Sequence, residues 1–90
     1  MKLEYLREFC KISEESSFIK VAEELSCTQA NLSKHIKALE SEFNVSFFIR
    51  TGRGTVLNEY GMVLQKYAGQ ICDLMDQFKV VASEMENSEN

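Results

Sequence analysis

No run of apolar residues in this sequence approaches the ~20 needed to span a bilayer, and Met1-Lys2-Leu3-Glu4 does not resemble the start of a signal peptide. The cysteines, Cys10, Cys27 and Cys72, are odd in number and have no close pairing, so neither a disulfide frame nor a zinc site is expected. They read as reduced, mostly buried thiols, and these absences together predict a cytoplasmic protein with no membrane partner. The only histidine is His35, on the flank of an expected helix, with no Cys, Ser or carboxylate motif that would make it a base. It reads as a surface or partly packed imidazole. Glu14-Glu15 and Glu23-Glu24 are adjacent pairs, which point different ways on a helix and suit solvent better than acid–base work. Glycine-rich phosphate loops and metal-ligand spacings are missing as well. The expectation is therefore no enzyme, no cofactor and no metal.

Charge of one sign is scarce only locally. The 90 residues carry a net −4, an acidic balance that argues at first sight against nucleic acid. Residues 1–58 hold eight Lys/Arg and eight Asp/Glu and sum to zero. Residues 59–90 hold Lys66 and Lys79 against six acids, so the whole deficit belongs to the C-terminal third. Between Leu25 and Asn58 four basic residues face two acidic ones. Binding to DNA depends on the local field at the contact face, which a global isoelectric point does not measure. A chain this short is one small domain with an appended helix, marginal alone, and self-association would help it.

The stretch Thr28 to Phe43 reads as a helix with two unlike faces. Leu32, Ile36, Leu39 and Phe43 recur at spacings of four, three and four, forming one stripe of a 3.6-period helix. Ala30, Lys34, Lys37 and Ser41 fall together on the opposite side, with Ser33 at its edge and no carboxylate among them. Thr28 is suited to cap the helix, because its hydroxyl can accept from an unpaired amide of the first turn. An exposed N-terminal half carrying Gln29, Ser33 and two lysines suits the floor of a DNA major groove. Taken alone, it suits a solvated helix face equally well.

The neighbouring segments shift that balance. Leu3, Leu6, Phe9, Cys10 and Ile12 give a first helix an apolar stripe, and Ser13-Glu14-Glu15-Ser16-Ser17 breaks it, with Ser17 able to cap a second helix. Phe18, Val21, Ala22 and Leu25 fall at helical spacing, so that second helix is short and has one buried face. Ser26-Cys27 leaves room only for a tight turn before Thr28, which makes a helix-turn-helix over about residues 18–37. Phe47-Phe48-Ile49-Arg50 and Thr55-Val56-Leu57 flank Thr51-Gly52-Arg53-Gly54, a hairpin signal. A hairpin over about 47–57 directly after a helix-turn-helix is a wing. Arg53, between two glycines at its tip, is placed to enter a minor groove or clasp a phosphate, and Arg50 to clamp the backbone.

Asn58 caps the last element and Glu59 favours the positive end of its dipole. From there Tyr60, Leu64, Tyr67, Ile71, Leu74, Phe78, Val81 and Met85 alternate spacings of four and three, a 3.5-period seam that signals a coiled coil. A helix over 59–86 would span roughly 42 Å at 1.5 Å per residue and outrun the core before it. Its seam needs a partner: the same helix of a second chain, or its own domain, with the first helix covering its first turns. Gly61 and Gly69 would each cost about 1 kcal/mol relative to Ala, which disfavours a solitary helix. Residues 87–90 read as a frayed end.

With these elements in order, the sequence resembles the DNA-binding domain of LysR-type transcriptional regulators. Leu3, Leu6 and Phe9, then Ser17-Phe18 and Ala22-Glu23-Glu24-Leu25, carry the first part of the likeness. Thr28 to Ile36, with Leu39-Glu40, is similar to that family's recognition helix. Phe48-Ile49-Arg50-Thr51-Gly52-Arg53 and Leu57-Asn58-Glu59-Tyr60-Gly61 are similar to its wing and the start of its linker helix. The resemblance implies a mostly α fold: a winged helix-turn-helix of three helices and a two-stranded wing over 1–58, followed by a long dimerisation helix.

It further implies a bacterial regulator that binds specific double-stranded DNA as a homodimer, of higher order when full length, with antiparallel linker helices. Thr28, Gln29, Ala30, Ser33, Lys34, Lys37, Arg50 and Arg53 are the expected DNA contacts, helix 28–42 in the major groove and Arg53 in the minor. Ala30 stands where the family commonly has Pro, Asn31 where a small apolar residue is common, and Ile19 where a hydroxyl is usual. Asn44 replaces a usual Gly and tolerates the left-handed conformation that Gly would take. The family's C-terminal effector-binding domain is absent from these residues, so no small-molecule effector is expected to bind this segment. The competing reading is a winged-helix protein-interaction module that dimerises and never touches DNA. The acidic balance supports it; the joint exposure of Lys34, Lys37, Arg50 and Arg53 favours DNA.

Overall fold

A computed structural model describes residues 1–88. Three helices, a hairpin and a long helix succeed one another: α1 (Leu3–Glu15), α2 (Phe18–Glu24), α3 (Gln29–Phe43), β1 (Phe48–Thr51), β2 (Gly54–Leu57) and α4 (Glu59–Ser88). The capping residues set the first boundaries. Ser16 turns left-handed at φ 57°, and its amide donates back to the Ile12 carbonyl at 2.7 Å, which closes α1. The helix therefore runs through Ser13-Glu14-Glu15, where the sequence pattern predicts a break; Glu14 faces solvent, while Ser13, which donates to the Phe9 carbonyl at 2.8 Å, and Glu15 are half-buried. Ser17 caps α2 by accepting from the Lys20 amide at 3.1 Å, and Thr28 caps α3 by accepting from Asn31 at 3.1 Å. Between them Ser26 takes φ 55°, and Cys27 donates to the Ala22 carbonyl at 3.0 Å, so the turn is as tight as its length requires.

The core joins Leu6, Phe9 and Ile12 of α1 to Phe18, Val21 and Ala22 of α2, to Leu32, Ile36 and Leu39 of α3, and to Phe47. Phe9 is fully buried, with its ring 5.5 Å from Phe47 and 5.3 Å from Phe48. Two expected core residues lie outside it. Leu25 is 41% exposed, because α2 ends at Glu24 and the chain turns away before Leu25 can point inward. Phe43 is 49% exposed, because the last turn of α3 outruns the core. Its ring instead meets Phe47 at 6.3 Å beside an apolar groove shared with Tyr60, Val63, Leu64 and Tyr67.

β1 and β2 pair antiparallel with Phe48 opposite Leu57 and Thr51 opposite Gly54, leaving Gly52-Arg53 as the connecting tip. The hairpin is fastened at both ends. The Thr55 amide donates to the Ser16 carbonyl at 3.1 Å, and Gly54, at φ 142°, lies so close that a Cβ would come within 2.7 Å of that oxygen. At the other end the Asn58 amide donates to the Phe47 carbonyl at 2.9 Å, while the Asn58 side chain accepts from the Gly61 amide at 2.9 Å. A Cβ on Gly61 would overlap the Phe47 carbonyl oxygen. The glycine that weakens the helix on paper is thus the residue that lets α4 cross the hairpin base.

α4 presents two separate faces. Gly61, Ala68 and Cys72 are buried, and Asp76 below them pairs with Arg7 of α1 at 2.8 Å. The seam from Tyr60 to Met85 lies roughly a third of a turn away at about 100° per residue. Leu64 is half-buried against the domain's own core, and the other seam residues are exposed. Leu74 is 63% exposed and Phe78 60%. Asn87 and Ser88 continue the helix where a frayed end is predicted, since nothing in the sequence there caps it; the rest of that expected tail lies outside the described residues. The thiols are also less buried than predicted: Cys72 is buried, but Cys10 and Cys27 are only partly so.

Candidate nucleic-acid interface

The stripe Leu32–Ile36–Leu39 is buried against α1 and α2, and this fixes the residues α3 shows to solvent. Ala30, Lys34, Lys37 and Ser41 are exposed, with Ser33 half-buried at their edge. Thr28 and Gln29 begin the same face at its N-terminal end. The hairpin stands beside it. One cleft is lined by Phe18 and Ile19 of α2, Gln29 of α3, and Arg50 and Thr51 of β1. A second runs between α3 and β1, past Ser33, Lys37 and Arg50. The fold therefore brings Gln29, Ser33, Lys37 and Arg50 to one surface. Arg53 lies apart at the exposed hairpin tip.

Electrostatics separates this surface from the rest of the domain. On α1, Arg7 pairs with Asp76, Lys11 with Glu24 at 3.3 Å, and Glu15 with Lys20 at 3.5 Å. Glu8 holds His35 Nδ1 at 2.9 Å, and the imidazole stacks on Tyr5 with 4.3 Å between ring centres. The two carboxylates of α3 are also occupied: Glu40 accepts from the Phe47 amide at 2.8 Å, and Glu42 takes the Met1 amine at 2.9 Å. Glu15 lies beside Glu24, and the interaction of the two carboxyls raises Glu15 above its ordinary value and lowers Glu24. Lys34, Lys37, Arg50 and Arg53 have no ion pair with any carboxylate among the described residues. Within residues 1–58 Glu8, Glu15, Glu24, Glu40 and Glu42 are engaged, whereas Glu4, Glu14 and Glu23 have no ion pair among the described residues. Of the seven cations without one among those residues, Lys34, Lys37, Arg50 and Arg53 lie on α3 and the hairpin, and Lys2, Lys66 and Lys79 lie elsewhere.

Two features of this surface escape a reading of the sequence. The Thr51 hydroxyl accepts from the Arg53 amide at 3.2 Å and donates to the Gly54 carbonyl at 3.1 Å, so it shapes the tip that carries Arg53. A threonine directly before Gly-x-Gly was the available signal. Phe18 lies under the Arg50 guanidinium at 4.3 Å. No spacing rule links residues so far apart.

Residues 3–62, two thirds of the chain, match the family described as bacterial regulatory helix-turn-helix protein, lysR family. The chain belongs to the LysR family. An uncharacterized HTH-type transcriptional regulator of the archaeon Methanocaldococcus jannaschii is 36% identical over 80 residues, which cover 89% of this chain and 27% of that protein. The HTH-type transcriptional activator AmpR of Yersinia enterocolitica is 39% identical over 80 residues, covering 84% of this chain and 27% of AmpR. This LysR-family chain thus spans about a quarter of the length of the curated relatives it matches. Among solved structures, the BenM DNA-binding domain in complex with catB site 1 DNA superposes with a TM-score of 0.89 at 30% identity, covering 94% of each chain. The CbnR DNA-binding domain in its DNA complex, at 22% identity and a TM-score of 0.88, shares the fold over 94% of this chain and 98% of that one. No helix among the described residues is long and apolar enough to cross a membrane.

Proposed function

We propose that this chain is the DNA-reading and pairing segment of a LysR-type transcription regulator acting in the cytoplasm. Residues 1–58 form the reading head and α4 the linker that joins two heads. α3 lies in a major groove, where the exposed N-terminal half of a helix reaches base edges. Gln29, Ser33 and Lys34 approach the bases, with Ala30 close enough for apolar contact, while Thr28 and Lys37 meet the flanking backbone. Arg53 reaches the adjacent minor groove from the hairpin tip, and Arg50 adds its charge between helix and hairpin. Tyr60, Leu64, Tyr67, Ile71, Leu74, Phe78, Val81 and Met85 meet their counterparts on a second chain, which spaces two heads along one duplex. The role is binding, and it needs no catalytic group.

One observation carries this reading: Lys34 and Lys37 on the exposed face of α3, Arg50 beside it on β1 and Arg53 at the hairpin tip have no carboxylate partner among the described residues, in a protein of net −4. The test is titration of a duplex, recovered from a random-sequence pool by the protein itself, at several salt concentrations. A complex making on the order of six phosphate contacts should lose about 10³-fold in affinity between 50 and 200 mM salt. No binding, or an affinity indifferent to salt, overturns the proposal in favour of a protein-interaction module.

A further inference from the structure

Arg50 ends a strand at the surface, yet its guanidinium does not stand free. It lies over the Phe18 ring with Cζ 4.3 Å from the ring centre, and its Nη2 donates to Ser33 Oγ at 3.3 Å. Phe18 is only 5% exposed and cannot move aside. A single side chain of β1 thus touches both α2 and α3. We propose that Arg50 is a positioning residue that sets the hydrogen-bonding polarity of Ser33, making this serine a donor that selects an acceptor on the DNA base edge. The inference rests on the DNA-reading role proposed above and assigns the chemistry of one of its contacts.

The direction of the contact is dictated by the groups. A guanidinium carries only donors, so the serine oxygen must accept, which leaves the hydroxyl with one free proton. A helical serine often spends that proton on the carbonyl four residues back. Ser13 does so, donating to the Phe9 carbonyl at 2.8 Å. Ser33 makes no such bond among the described residues, and its one hydrogen-bond partner there is Arg50. Its proton is therefore available outward, and accepting from a cation strengthens it as a donor. On the major-groove edge the acceptors are purine N7, guanine O6 and thymine O4, whereas cytosine N4 and adenine N6 present donors. Ser33 should favour the first group. Lysine at position 50 would keep the charge but lose both the plane that stacks on Phe18 and the fork that reaches Ser33.

The experiment selects sites from a random duplex pool with the parent, Ser33→Ala, Arg50→Lys and the double variant, then measures each on the parent's selected duplex and on a scrambled one. Circular dichroism verifies folding, and Arg50→Gln replaces Arg50→Lys if the latter is unstable. A single lost hydrogen bond should lower the preference for the selected duplex by about three- to tenfold. Both single variants should relax discrimination at the same base-pair position, and the double variant should lose no more than either alone. The assignment is overturned if Arg50→Lys discriminates like the parent, if the two losses multiply, or if they relax different positions. A parent that binds no duplex overturns the DNA-reading role itself, an outcome distinct from the others.

Discussion

The reading head and the linker helix solve opposite problems. Ten of the twelve buried apolar residues belong to residues 1–58 and only Ala68 and Cys72 to α4, so the head closes its core almost by itself. Along α4, Tyr60, Tyr67, Ile71, Leu74, Phe78, Val81 and Met85 are each at least 41% exposed, a run of apolar surface turned to solvent. Charge runs the other way. The head sums to zero, matches most of its acids internally and exposes cations, whereas residues 59–90 carry the entire net −4. One region is finished as a fold and open as an electrostatic surface; the other leaves apolar surface exposed along its length, as the dimer proposed above requires. This is why an acidic protein can still offer a basic face.

The contrast between the two regions breaks most forcefully at the centre of the head. Phe9→Ala removes a ring that meets both Phe47 and Phe48 and should destabilise the protein by about 3–5 kcal/mol. Chemical denaturation reads this directly, and a loss below about 1 kcal/mol would mean the core lies elsewhere. On the linker side, Phe78→Lys should leave the head folded but split the dimer, lowering DNA affinity by about 100-fold or more through lost bivalency. Sedimentation combined with duplex titration measures both effects, and unchanged mass would remove the seam from dimerisation. The junction between the two regions is sharpened by Gly61→Ala, whose Cβ would collide with the Phe47 carbonyl. It should cost about 1–3 kcal/mol from overpacking although alanine favours helix, and a stabilised variant would show that α4 shifts freely.

Within the cationic face, Lys34→Ala should weaken selected duplex by about 1–3 kcal/mol more than scrambled duplex. Equal losses on both would make Lys34 a phosphate contact only. The smallest effect belongs to the exposed Arg7–Asp76 pair that ties α1 to α4. The Arg7 hydrogen bond holds Asp76 below its ordinary value of 3.8, so its contribution to stability is complete above that pH and disappears as pH falls through the depressed folded value. Asp76→Asn and the parent should therefore differ slightly at neutral pH and converge in strong acid. A gap in thermal midpoint that widens on acidification would contradict the pair.

The features legible in the sequence are those that a period or a cap encodes. The Leu32–Ile36–Leu39 stripe, the Ser17, Thr28 and Asn58 caps, the left-handed Asn44 and the exposed seam of α4 all obey local rules that need no knowledge of neighbours. Phe43 and Leu25 do not, because a stripe gives direction around a helix and says nothing about where the core stops along it. The end of α1 escaped for a related reason: Ser13-Glu14-Glu15 is polar enough for a turn, and the left-handed Ser16 decides the matter three residues later. Pairings across the chain, such as Arg50 with Phe18 and Ser33, or Lys11 with Glu24, depend on packing alone. The face left cationic was visible in outline; the matching of acids that leaves it so was not.

A cationic head offered twice by a shared helix seam is the central claim, and the mass of the protein–duplex complex tests it most directly. Sedimentation equilibrium on the duplex recovered from a random pool should find twice the 10.3 kDa chain mass without DNA, and two chains per duplex with it. A single chain at every concentration, or one chain on each duplex at saturation, would contradict it.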